Sequence, residues 1–103
     1  MMFLSNYNEA IKNFITEKRI YGYKYITDEN ELKRFDSFLY LNNINIINKS
    51  VIDLWVELHP NWSINSKARS INTIREFLRY LNRYHLNNYT IPNNIYKHIT
   101  NSY

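Results

Sequence analysis

The sequence predicts an all-α fold of four helices, and three observations carry that prediction. Apolar residues recur at three- and four-residue intervals in four separate stretches. Gly22 is the one glycine and Pro60 and Pro92 are the two prolines in 103 residues, too few for the many tight turns of a sandwich or barrel. The apolar fraction is 45%, ordinary for a chain that buries a core and too high for wholesale disorder. This length makes one domain, expected over residues 1–92, with 93–103 as a C-terminal tail.

The first helix is expected over residues 6–20, with Ser5 as N-cap. Tyr7, Ala10, Ile11, Phe14, Ile15 and Lys18 share one face, and Gly22, which takes positive φ freely, stops it. A short link, 21–26, leads to a second helix over 28–41. There Thr27 is the N-cap, and Asp28, Glu29 and Glu31 sit in the first turn, where the helix dipole favours carboxylates. Leu32, Phe35, Phe38 and Leu39 are its apolar stripe, and Asn42-Asn43 ends it. The residues Ile44-Asn45-Ile46-Ile47 have strand composition but no partner strand, so they are expected as a loop that buries its isoleucines. A short third helix, 49–58, is capped by Asn48, turns Val51, Leu54, Trp55 and Leu58 inward, and ends at His59-Pro60. The fourth and longest, 66–85, has Ser63 or Asn65 as cap and Ile71, Ile74, Phe77, Leu78 and Leu81 as core stripe. Beyond it the Asn-rich stretch 86–103 is weakly patterned, with Ile91-Pro92 packing back as an extended segment. Trp55 anchors the core, whereas Trp62 fits either the core or its rim.

Charge is distributed unevenly. Residues 1–60 hold seven Lys/Arg and eight Asp/Glu, and residues 61–103 hold six and one, for a net +4 overall. A basic second half suits a polyanionic partner, although solubility alone tolerates it. The start, Met1-Met2-Phe3-Leu4-Ser5, lacks the pattern of a secretory signal, and no stretch is apolar enough for a membrane span, so a cytoplasmic location is expected.

On a helical wheel the fourth segment separates its apolar stripe from Arg69, Asn72, Arg75, Arg79 and Arg83, with Glu76 the lone carboxylate. Arg75, Arg79 and Arg83 recur every four residues. A solvated face more usually alternates sign and gains ion pairs. A row of arginines makes sense opposite an anion, because guanidinium binds phosphate or guanine O6/N7 bidentately. The alternative is a solvated basic face with no partner. A second cluster, Tyr21, Tyr23, Lys24 and Tyr25 leading into Thr27, offers a helix N-terminus to phosphate, or is a link whose tyrosines pack on the core. Lys33-Arg34 is a further candidate pair or an ordinary surface pair.

Catalytic constellations are lacking. The chain has no cysteine, and therefore no thiolate metal site and no cysteine nucleophile. A single glycine excludes a glycine-rich phosphate loop and a nucleophile elbow. His59, His85 and His98 show no metal-ligand spacing, and His85 suits the helix C-terminal dipole. No cofactor or metal is called for.

Five runs carry a resemblance: Lys18-Arg19-Ile20-Tyr21-Gly22-Tyr23; Leu32-Lys33-Arg34-Phe35-Asp36-Ser37-Phe38-Leu39; Val51-Ile52-Asp53-Leu54-Trp55-Val56; Ser70-Ile71-Asn72-Thr73-Ile74-Arg75-Glu76-Phe77-Leu78-Arg79-Tyr80-Leu81; and Tyr89-Thr90-Ile91-Pro92. In order and spacing, over about residues 5–92, the chain resembles the N-terminal core-binding domain of tyrosine recombinases, or phage integrases, a four-helix SAM-like bundle. The resemblance implies binding of double-stranded DNA, with the second and fourth helices against the major groove. Carried over by residue, it points to Lys24, Thr27, Lys33, Arg34, Ser66, Lys67, Arg69, Asn72, Arg75, Arg79 and Arg83, with Arg75 at a position that packs partly against the core. It further implies a partner catalytic domain of the same parent chain, assembly in a recombinase tetramer, and a bacterial or phage, nucleoid-associated setting.

Two departures touch local contacts: Ser66-Lys67-Ala68 stands where the family often has threonine, and Tyr84-His85-Leu86-Asn87 where it has glycine. A third is larger. The family's catalytic domain uses a His-x-x-Arg motif, and here residues 59, 85 and 98 are followed at +3 by Trp62, Asn88 and Asn101. The chain is therefore expected to be non-catalytic, either an excised domain or a truncated relative, with the tail as the start of a linker. The alternative function is a helical protein–protein module, in recombinase assembly or against it, with a patch of Trp62, Ile44, Ile46 and Ile47. A free-standing transcription regulator is disfavoured by the lack of a dimerisation helix.

Overall fold

The computed structural model describes residues 4–22 and 26–91. It contains four helices, α1 (Asn8–Ile20), α2 (Ile26–Leu41), α3 (Lys49–Glu57) and α4 (Ile64–Arg83), and no strand among the described residues. The chain divides into two compact units, Met1–Ile46 and Ile47–Tyr103. No helix among the described residues is long and apolar enough to cross a membrane.

In the first unit α1 packs on α2. Tyr7, Ala10, Ile11, Phe14 and Ile15 are buried, as are Leu32, Phe35, Phe38 and Leu39, which are the stripes the spacing predicts. The Phe35 and Phe38 rings stack with centroids 5.8 Å apart. Each such large side chain contributes about 1.5–3 kcal/mol on full burial.

Both helix starts differ from expectation. Ser5 is not the cap of α1; Tyr7 holds that place without a side-chain bond. The reason lies in α2, whose Asp36 carboxylate is only 2% exposed and needs donors. Leu4 N–H at 2.7 Å, Ser5 N–H at 3.0 Å and the Ser5 hydroxyl at 2.5 Å supply them. Ser5 Oγ also accepts from Tyr7 N–H at 3.1 Å, so it organises the turn before the helix. α2 begins at Ile26, which puts Thr27 inside the first turn rather than at the cap. A residue there needs no intrahelical partner for its N–H, and Asp28 and Glu29 hold the dipole-favoured positions; Glu31 falls beyond the first turn. Residues 23–25 of the link, Lys24 among them, lie outside the described residues.

The ends of both helices use left-handed backbone. Gly22 closes α1 at φ 91°, its N–H donating to the Arg19 carbonyl at 3.0 Å. Asn43 closes α2 at φ 53°, where Ile44 N–H reaches back to the Leu39 carbonyl at 2.9 Å.

In the second unit Asn48 caps α3 as expected, accepting from Val51 N–H at 3.2 Å. The inward face of α3 is a correction. Ile52 and Trp55 are buried, whereas Leu54 and Leu58 are exposed and Val51 is half-buried. A nine-residue helix with apolar residues on two sides has no unique wheel. The Trp55 indole settles its rotation, because its N–H donates to the buried Ser70 hydroxyl at 3.0 Å. Ser63 caps α4, accepting from Ser66 N–H at 3.1 Å. Ile71, Ile74, Phe77, Leu78 and Leu81 have no exposed surface, as the spacing predicts.

α4 stops at Arg83, two residues early, because His85 turns to φ 59°. The His85 and Leu86 N–H groups donate to the Asn82 and Leu81 carbonyls at 3.1 and 2.8 Å. A histidine therefore occupies the left-handed position where glycine is usual. The chain beyond is tied back. Asn87 pairs both ways with the Ile47 backbone at 3.1 and 2.9 Å, Asn82 donates to Tyr89 O at 3.2 Å and Thr90 Oγ1 at 2.7 Å, and Ile91 is buried. Of the isoleucines expected to be buried at 44–47, only Ile47 is; Ile44 is half-buried and Ile46 is 65% exposed. Pro92, His98 and the rest of the tail lie outside the described residues.

Replacing Asp36 with alanine strips three donors of their acceptor. It is expected to cost about 1–3 kcal/mol, read as a lower urea midpoint at unchanged slope. His85→Gly is expected to stabilise by about 1 kcal/mol, while His85→Ala gives no gain in the same melt.

Candidate nucleic-acid interface

Burial of its apolar side fixes which residues α4 turns outward. Ser66, Arg69, Asn72, Glu76, Arg79 and Arg83 are exposed. Successive members are three or four residues apart, so they form a single stripe along the helix. The stripe runs for about 25 Å, the rise of about seven base pairs of duplex DNA. Lys67 and Arg75 are half-buried at its edges.

The straight row of Arg75, Arg79 and Arg83 suggested by four-residue spacing needs correction. Four residues overshoot a helical turn by about 40°, so the row drifts, and its first member ends against the core. Arg75 Nε donates to the Ile91 carbonyl at 3.3 Å, and its Nη1 donates to Asn72 Oδ1 at 2.7 Å. Burial, and then the Arg79 charge, hold the Arg75 guanidinium below its usual pKa, though arginine stays protonated in proteins. The centre of the stripe belongs instead to Glu76, which makes no ion pair or side-chain hydrogen bond among the described residues.

At the C-terminal end the Arg83 guanidinium lies over two rings, 5.5 Å from the Tyr80 centroid and 5.3 Å from that of Tyr84. Cation–π contact of this kind orients the fork without neutralising it. Its signal was present in the sequence as tyrosines three before and one after the arginine. At the N-terminal end Ser66 N–H is taken by the Ser63 cap. The Arg69 side chain makes no hydrogen bond or ion pair among the described residues.

The other candidates sit in the first unit. Lys33 and Arg34 are both exposed on α2, but Arg34 is paired with Glu31 at 2.8 Å. Thr27 contributes backbone in the first turn of α2, and Lys24 lies outside the described residues. Elsewhere three cations pair with carboxylates, Arg19 with Glu29, Lys12 with Glu9 at 4.0 Å, and Lys49 with Asp53 at 2.8 Å, while Lys18 lies over the Phe14 ring.

The structure decides the place of Trp62. It is half-buried and lies flat on the His59 ring, centroids 3.9 Å apart and planes within 8°. Both rings meet Trp55 edge-on at 4.6 and 5.7 Å. His59 Nδ1 donates to the Trp55 carbonyl at 2.8 Å, which gives that histidine a structural task. No group of three His, Cys, Asp or Glu that could hold a metal occurs among the described residues. A cleft in the first unit, bordered by residues 4–6, 39–40 and 43–45, is lined by no histidine, carboxylate or cation. No protein-family model, curated protein or solved structure matches the chain.

Arg75 and Arg69 are expected to separate in stability. Arg75→Ala loses the bond to the Ile91 carbonyl and its partly buried packing, lowering stability by about 1–2 kcal/mol. Arg69→Ala stays within about 0.5 kcal/mol. Thermal melts of the two variants check this.

Proposed function

We propose that this chain is a DNA-binding module of the tyrosine-recombinase core-binding type, which holds duplex DNA and performs no chemistry on it. The observation that supports the reading is the exposed stripe of α4, where Arg69, Arg79 and Arg83 stand together with one carboxylate among them. Lys67 and Arg75 border it. Guanidinium groups on one face of a helix take phosphate oxygens, and contacts to phosphates position a duplex without reading it. Asn72 adds an exposed amide to the same stripe, a group type able to hydrogen-bond base edges. In the first unit Lys33 is an exposed cation, and Arg34 exchanges Glu31 for phosphate. Lys24 and Thr27 stay in the proposal on the resemblance alone.

Strand cleavage is left to a catalytic domain of a parent recombinase, in a bacterial or phage cytoplasm, with tetramer assembly belonging to that full-length context. Phosphotyrosyl chemistry needs phosphate-activating arginines and histidine around the nucleophile, and the sequence has no His-x-x-Arg. A second reading, a helical protein–protein module, is favoured by the exposure of Leu54 on α3 and of Leu58 at its C-cap, four residues apart. The patch expected from the sequence loses Ile47, which is fully buried.

Fluorescence anisotropy of the protein with a short random duplex, across a salt series, tests the reading. With about five cations engaged, log K falls against log salt with a slope of about −4 to −5. The Arg79→Glu/Arg83→Glu double variant abolishes binding while circular dichroism stays helical. Absence of binding at low salt by the folded wild-type chain overturns the reading and leaves the protein-interaction module.

A further inference from the structure

Glu76 is the exposed group of the α4 stripe that phosphate binding leaves without a role. A carboxylate facing the sugar–phosphate backbone repels it, and its removal is the simplest improvement to a surface that only tracks phosphates. A carboxylate serving the protein itself would pair with a neighbouring cation, as Glu31 does with Arg34 and Asp53 with Lys49 at the same helical spacings. Glu76 has Arg79 three residues ahead, yet it makes no ion pair among the described residues.

Position along the stripe resolves this. In order, the exposed residues of its last four turns are Arg69, Asn72, Glu76, Arg79 and Arg83. Cations stand at the two ends, and an amide and a carboxylate stand in the middle. The major groove has base edges on its floor and phosphates along both walls, so a helix seated there can meet phosphates through residues near its ends and base edges through residues between them. There a carboxylate has a suitable donor, the N4 amino group of cytosine, which the other three bases do not present in that pattern. Its neighbour Asn72 is oriented as well, because Arg75, itself held by the Ile91 carbonyl, occupies Asn72 Oδ1 and leaves the amide nitrogen to donate.

We infer that Glu76 is a specificity-determining residue, which accepts a hydrogen bond from cytosine N4 in the major groove and makes the chain prefer some duplexes over others. This inference rests on the DNA-binding reading. The test is selection from a pool of random duplexes by the wild-type protein, Glu76→Gln and Glu76→Ala, together with the affinity of each for unselected duplex. Wild type is expected to enrich cytosine at one position by about fivefold or more. Glutamine, which pairs with adenine N6/N7, shifts that position to adenine. Alanine loses the preference and binds unselected duplex at least about threefold tighter, because a like charge has gone. Identical enrichment by all three proteins, or binding by all three with no enrichment, overturns the inference and leaves the DNA-binding reading standing. Wild-type protein that binds no duplex at low salt overturns both.

Discussion

The burial of one side of α4 is the constraint on which the rest depends. Ile71, Ile74, Phe77, Leu78 and Leu81 are wholly removed from water, and each resists re-exposure by about 1.5–3 kcal/mol. Turning the helix by a third of a revolution would expose several of them and desolvate an arginine, which costs several kcal/mol more. The hydrogen bond from the Trp55 indole to Ser70, one residue before Ile71, holds the helix from the same side. Helix rotation is therefore fixed by packing, and the cationic stripe follows as its complement. The core of the second unit and its candidate interface are two faces of one residue pattern.

That linkage explains which features were legible in the sequence. Strong periodicity over twenty residues made the buried side of α4 and its arginines readable, and Asn48 declared itself as a cap by residue type, whereas the choice between Ser63 and Asn65 needed the bond from Ser66 N–H to Ser63. α3 misled because nine residues give little phase information, and the deciding contact, Trp55 to Ser70, joins residues fifteen apart. At the loop 44–47, composition alone gave no means of telling which isoleucine goes inside. Asn87 selects Ile47 by bonding its backbone from forty residues away. Arg75 was placed in the exposed row by a wheel that treats every outward position alike, whereas the carbonyl that draws it aside belongs to Ile91.

Polar groups also set the ends of the elements in ways residue type hides. Ser5 looked like a cap because serine usually is one, but a buried aspartate on another helix outbids the helix terminus for its hydroxyl. His85 takes a left-handed conformation that disfavours any side chain. It is held there because the Leu86 N–H bond to Leu81 and the Asn87 pairing to Ile47 both require the chain to reverse at that point. In both cases long-range demand overrides local preference, and the sequence carries the cost without advertising the cause.

Burial holds the Arg75 guanidinium below its usual pKa, and the like charge of Arg79 adds to it. Two remedies lie within reach of any such helix: a carbonyl that accepts from the guanidinium, or a carboxylate one turn away. The chain uses the first for Arg75, through Ile91, and gives Arg83 two tyrosine rings. It leaves the second unused, since Glu76 sits amid the stripe and pairs with no cation among the described residues. A surface evolved only to stay dissolved gains by closing that pair. A surface that meets an external anion gains by keeping it open, because each internal ion pair must be broken before phosphate takes its place. The unused remedy adds to the exposed arginine stripe as support for the proposed polyanionic partner.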